Sequence, residues 1–207
     1  MKEAQEQAGF SIRGPLRRTI MNLRNGNSVV AETQVNVVAA IQGATNVAGA
    51  LVEVMTGMVV HALRAGEGPR KEVQEAATGT ITGALQGLTQ VGNEPGAGSR
   101  AIMTGVLRGA QRVGRITSDL VDECADTLVR ETYVVGGDVT RAAKGAVEGA
   151  IDSARETGTS VEVALAAATK GAMRGAAAIG NFATRDIQKM LAGTIAGVNS
   201  AVGGSYR

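Results

Sequence analysis

The clearest hydrophobic pattern in the chain runs from Val139 to Ala154. Apolar residues fall at Val139, Ala142, Ala143, Ala146, Val147, Ala150, Ile151 and Ala154. Spacings of three and four mark one face of a helix, not the alternation of a strand. At ~100° per residue, the polar positions Arg141, Lys144, Glu148, Asp152 and Arg155 gather on the opposite face. Glu148 and Asp152 are like charges four residues apart, so this face is not arranged for salt bridges within the helix. The same reading along the chain predicts helices over 29–64, 72–91, 99–132, 138–156 and 160–200. Ser99, Asp138 and Ser160 are the expected N-caps, and Gly92 and Gly158 the expected C-terminal stops. The stretch GNEPGAGS, residues 92–99, is the clearest loop. Ser118 with Asp119 and Asp122 reads as a fresh helix start, as does Thr184 after Gly180 and Asn181. The apolar phase nevertheless continues from Ile102 through Val113, Ile116, Leu120 and Cys124, which favours long, kinked helices. Either division is all-α.

The pattern repeats. EVQEAATGTITGAL, residues 72–85, aligns with DVTRAAKGAVEGAI, residues 138–151, at an offset of 66. Gly79 and Gly83 match Gly145 and Gly149, and further along Gly105 matches Gly171 and Gly109 matches Gly175. Three approximate units follow, over residues 7–72, 73–138 and 139–204. The first is degenerate at its start, as terminal repeats often are. Residues 1–28 are therefore read as a basic N-terminal segment, partly ordered or capping, and residues 29–207 as one helical-repeat domain. The expected architecture is antiparallel helical hairpins, closely packed through Ala/Gly faces.

Glycine inside a helix costs ~1 kcal/mol relative to Ala. Here it recurs at four-residue spacing at Gly79/Gly83, Gly105/Gly109, Gly145/Gly149, Gly171/Gly175 and Gly193/Gly197. Such pairs clear a strip along one flank of a helix and let a second backbone come close. These ten glycines are the candidate packing and assembly residues. The same spacing also occurs in membrane dimers, but only within an apolar span of ~20 residues. Lys144, Glu148 and Asp152 beside Gly145 and Gly149 do not suit that setting. The most apolar window, Val35–Leu63, carries Asn36, Gln42, Asn46, Glu53 and His61, too polar for a lone lipid-exposed span.

Composition narrows the chemistry. There are 29 Gly but only two Phe, two Tyr and no Trp, so the core must be built from small side chains at close approach or through assembly. A net charge of +2 is too mild to imply a specific nucleic-acid partner. One cysteine, Cys124, excludes an internal disulfide framework. Its acidic neighbours disfavour a thiolate, and the repeat aligns it with Met58 and Met190, so it reads as a core filler. His61, the single histidine, reads as a core or boundary residue, and histidine-based metal sites fail on count. GAGSRA, residues 96–101, has the letters of a dinucleotide fingerprint, but no strand precedes it. Asp119, Asp122, Glu123 and Asp126 form an acidic patch, read as a solvated helix start, with a weak cation site as the sharper alternative. Repeat-equivalent positions oppose them in sign: Asp119 matches Arg185, and Glu123 matches Lys189. Such patches suit head-to-tail contacts between copies. The first 20 residues hold no continuous apolar core, so no secretory signal is read and a cytoplasmic location is expected.

The phrase A-x-x-G-A-x-x-G-A in RAAKGAVEGAIDSARETG, and the closing LAGTIAGV at residues 191–198, resemble segments of uncharacterised bacterial Gly/Ala-rich, glycine-zipper-like helical-repeat proteins. The resemblance covers roughly residues 72–200 and implies a helical repeat with no catalytic residues. The expectation is a non-enzymatic structural protein without cofactor or metal, whose partner is itself in an oligomer, filament or coat. Two other readings stand beside it. One is a peripheral, phasin-like coat on a lipid or storage-granule surface. The other is a helical module that holds an apolar ligand.

Overall fold

A computed structural model describes the backbone of residues 13–42, 44–64 and 70–203, with side-chain surroundings for 28–42, 44–63 and 71–194. Residues 1–12, which hold much of the segment read for a signal, lie outside the described residues. So do the outer limits of the first and last proposed units, residues 7 and 204.

The described residues form eight helices and no strand. They are α1 Arg13–Gln42, α2 Val47–Arg64, α3 Arg70–Gln90, α4 Pro95–Arg112, α5 Ser118–Val134, α6 Val139–Thr157, α7 Val161–Ile179 and α8 Asn181–Gly203. The all-α expectation holds, but the three long segments are divided. Residues 29–64 belong to α1 and α2, 99–132 to α4 and α5, and 160–200 to α7 and α8. The reason is local backbone chemistry. Gly114 takes φ +67°, a left-handed conformation that only Gly adopts without cost, and the chain reverses there although the apolar phase continues. Helix α1 also runs across the expected boundary at residue 28.

The turns reveal a shorter period than 66. Positive-φ glycines stand at 92, 114, 136, 158 and 180, a constant step of 22 residues. At the first four, the N–H after the glycine bonds the carbonyl five residues back: Asn93 to Leu88, Arg115 to Ala110, Gly137 to Thr132 and Thr159 to Ala154, all at 2.8–3.0 Å. This is the Schellman closure of a helix end. The next helix then starts on a capping side chain, Glu94, Thr117, Asp138 or Ser160. Asp138 and Ser160 cap as expected. Ser99 does not: Glu94 starts α4 earlier, Pro95 fits the first turn, and Ser99 is buried within the helix. One helix and one turn thus make the step, and the 66-residue offset spans three steps.

Each turn reverses the chain, and the main packing is between helices two apart. Helices α1, α3, α5 and α7 form one row and α2, α4, α6 and α8 the other. Within a row the helices run in the same direction: Gly105 of α4 faces Val52 and Met55 of α2, and Gly109 faces Thr56 and Val59. The core lies between the rows. It combines Leu51, Met55, Ile81, Leu85, Ile102, Leu107 and Leu128 with the fully buried alanines 142, 143, 146, 150, 168, 172 and 176. Two joints are looser, α3 with α5 and α6 with α8. On α5 the glycine columns carry Thr127 and Glu131, one step after Gly105 and Gly109, so side chains hold α5 away from α3. Helix α8 begins directly after Gly180, without the two or three residues present at the other turns, and so enters its row differently.

Candidate functional site

The glycine strips form an interlock that points one way along the array. Gly83 and Gly87 of α3 rest on α1, Gly105 and Gly109 of α4 on α2, Gly145 and Gly149 of α6 on α4, and Gly171 and Gly175 of α7 on α5. A methyl group at Gly149 would stand 2.6 Å from the Arg100 carbonyl and 2.8 Å from Met103 Cβ, and one at Gly145 would stand 2.7 Å from the Arg100 amide nitrogen. The helices are therefore separated by backbone contact. Gly79 is buried on α3. Gly193 breaks the pattern: it is exposed, and nothing lies within 4 Å of its Cβ direction. Gly197 belongs to α8, but its surroundings lie outside the described residues.

Threonine hydroxyls stitch the close joints. Thr56 Oγ1 donates to the carbonyl of Gly105 at 3.2 Å, and Thr104 Oγ1 reaches that of Gly149 at 3.5 Å. Both also bond their own helix four residues back. Without a Cβ on the strip glycine, the carbonyl lies open to the neighbouring helix.

Charged side chains flank the strips, and they pair across joints. Arg100 of α4 holds Asp152 of α6 at 2.7 Å and Glu148 at 3.6 Å. Arg108 holds Glu156 at 2.8 Å and Glu53 of α2 at 3.5 Å, so α2, α4 and α6 are linked. Glu148 and Asp152 thus share a guanidinium from the preceding helix of their row, and Lys144 lies 3.9 Å from Glu148, an ion pair within α6 that the like-charge pattern did not lead one to expect. The acidic patch of α5 is likewise not a solvated start. Asp122 and Asp126 are buried, and α7 supplies the counter-ions. Lys170 lies 2.9 Å and Arg174 2.6 Å from Asp122, while Arg174 also reaches Glu123 at 3.1 Å and Asp126 at 3.4 Å. Glu123 is therefore engaged within the chain. Asp119 also has a partner, while Arg185 and Lys189 lie exposed on α8.

Glu94 joins two turns at one end of the array. Its carboxylate accepts from the N–H groups of Gly96 at 2.8 Å, Ala97 at 2.7 Å and Asp138 at 3.0 Å, and from Arg141 at 3.3 Å. Burial acts to raise its pKa, but the three amides and the guanidinium outweigh it and hold the carboxyl below its ordinary value. Two amides of GAGSRA, those of Gly96 and Ala97, are thus taken by Glu94, and the segment is the first turns of α4. Cys124 is buried, and burial, followed by the nearby Glu123 charge, pushes its thiol far above the ordinary range. His61 is exposed, not a core residue, because α2 turns that edge outward.

A groove of about 560 Å³ runs along α2, α4 and α6. Its lining includes Arg100, Arg108, Asp152, Arg155 and Glu156. The rest of the wall is small or uncharged, with Ala48, Gly49, Val52, Ala97 and Ala101, so the groove sets charged groups beside an apolar lining. Among the described residues, no helix is long and apolar enough to cross a membrane. Glu94, Arg100, Arg108 and Arg174 were not singled out from sequence. For Arg108 and Arg174 the signal is position, since each, like Lys144, Glu148 and Lys170, directly precedes a strip glycine, whereas Glu94 and Arg100 have no such neighbour. No protein-family model matches the chain, and no curated protein matches it.

Proposed function

We propose that this chain is a non-enzymatic structural protein that associates with copies of itself. The observation that carries the reading is the direction of the interlock: α3, α4, α6 and α7 each lean through their glycines on the helix two before. The array's outer helices carry exposed apolar side chains where a closed array would carry polar caps. The packing surface is small-residue backbone and the charges are paired beside it, so the chemistry supports architecture over turnover.

A coat on a lipid or granule surface would need apolar stripes free to lie on that surface. In α4 and α6 those stripes are buried, which weighs against that alternative. The test is sedimentation velocity over a wide concentration range. Association that grows with concentration is expected, and a monomer at every soluble concentration would sink the reading.

A further inference from the structure

We infer that copies of this chain stack head to tail, with α1 and α2 of one copy leaning on α7 and α8 of the next. This rests on the self-association proposed above and specifies its surface and polarity.

The interior joints define two kinds of face. A leaning face carries the strip, and a receiving face takes it. Helices α1 and α2 receive α3 and α4, but no described helix lies against their own leaning faces. Stepping the strip back by 22 residues from α2 to α1, and by 26 from α3 to α2 across their longer linker, gives Gly57 on α2 and Val35 on α1. Val35 is 67% exposed, with exposed Ala31 and Ala39 one helical turn to either side. Gly57 is exposed and meets nothing within 4 Å.

The opposite end shows the complement. The receiving positions Asp122 and Asp126 of α5 become Ala166 and Lys170 two steps on, on α7. Ala166 and Lys170 are exposed, and Val163 beside them is 56% exposed. Thr169 Oγ1, on the same side, is buried without a hydrogen-bond partner. On α8, Phe182 is 83% exposed. Among the described residues, four of the six large exposed hydrophobics, Val35, Val47, Val163 and Phe182, thus lie on the four outermost helices.

A second copy is the occupant that fits, for two reasons. First, the joint would continue the contact that α1–α3 and α5–α7 already make. Second, the two faces agree in kind: exposed Val35, flanked by Ala31 and Ala39, would meet exposed Ala166 and Val163 across the joint. A leaning face matches a receiving face and not another leaning face. The contact is therefore heterologous and open-ended, not a closed dimer.

Two variants of the full chain block one end each. Val35→Arg spoils the leaning face by setting a long charged side chain against Ala166, and Ala166→Arg spoils the receiving face. Both sites are exposed, so unchanged melting should show that folding is intact. Each variant alone should sediment as a monomer, because every joint needs both faces. Their mixture should give a one-to-one dimer and nothing larger. A variant that still dimerises by itself, or a mixture that stays monomeric while the unmodified chain associates, overturns the head-to-tail joint and leaves self-association standing. An unmodified chain that never associates overturns both.

Discussion

Gly149 and Gly193 occupy equivalent columns of neighbouring strips, yet they pose opposite problems. At Gly149 the space for a Cβ is filled by the Arg100 carbonyl and Met103. At Gly193 nothing lies within 4 Å. Gly149→Ala must push α6 from α4, and overpacking of this kind costs about 1–3 kcal/mol. Gly193→Ala removes only a helix penalty, so it should stabilise by up to ~1 kcal/mol. Urea melts of the two variants check this, and shifts of equal sign would mean that the strip is not a packing surface. Sequence alone treats these glycines identically. Their letters and spacing are the same, and what differs is whether another backbone has arrived. Cys124 is the converse case: its inertness was legible from acidic neighbours, and its burial strengthens the same conclusion.

At the scale of elements, the turns decide the fold. The 22-residue step is written in Gly92, Gly114, Gly136, Gly158 and Gly180, yet the apolar stripe runs straight through Gly114 and Gly180. A stripe of period 3.6 continues in register across a reversal whenever both helices face the same core. Hydrophobic phase is therefore a poor witness to helix ends, and a left-handed glycine is a better one. Glu94 adds a link between elements, tying the start of α4 to the turn before α6. Glu94→Gln should cost about 1 kcal/mol as a weakened cap. The sign of its pH dependence follows from its depressed pKa. The contribution is complete above the ordinary carboxylate value of ~4.3 and is lost as pH falls through the lower folded-state value. The stability gap between the parent and Glu94→Gln should thus be flat above pH ~5 and narrow in acid, as followed by thermal melts. A gap that widens in acid would contradict this electrostatic role.

For the whole molecule, the parity of the rows sets what can be removed. Excising residues 115–158 deletes α5 and α6 and returns α7 to its own row. Excising residues 137–158 deletes α6 alone and moves α7 into the other row. There Lys170 and Arg174 would meet Arg100 and Thr104 in place of Asp122 and Asp126, a cation against cations. The shorter deletion should therefore be the more damaging, with a broader and lower melt by circular dichroism. Equal melts for both deletions would mean that the rows are interchangeable.

The sequence by itself determined that the chain is helical, that it repeats, and that its helices offer strips of glycine beside charged positions. Each of these is a property of neighbours along the chain: a spacing of three and four, an offset, a letter at a column. The tertiary structure alone decided which helix each strip leans on, which like charges share a counter-ion, and which faces stay uncovered. Those outcomes depend on where each turn sends the next helix. A single left-handed glycine redirects everything after it, and no local pattern records the destination.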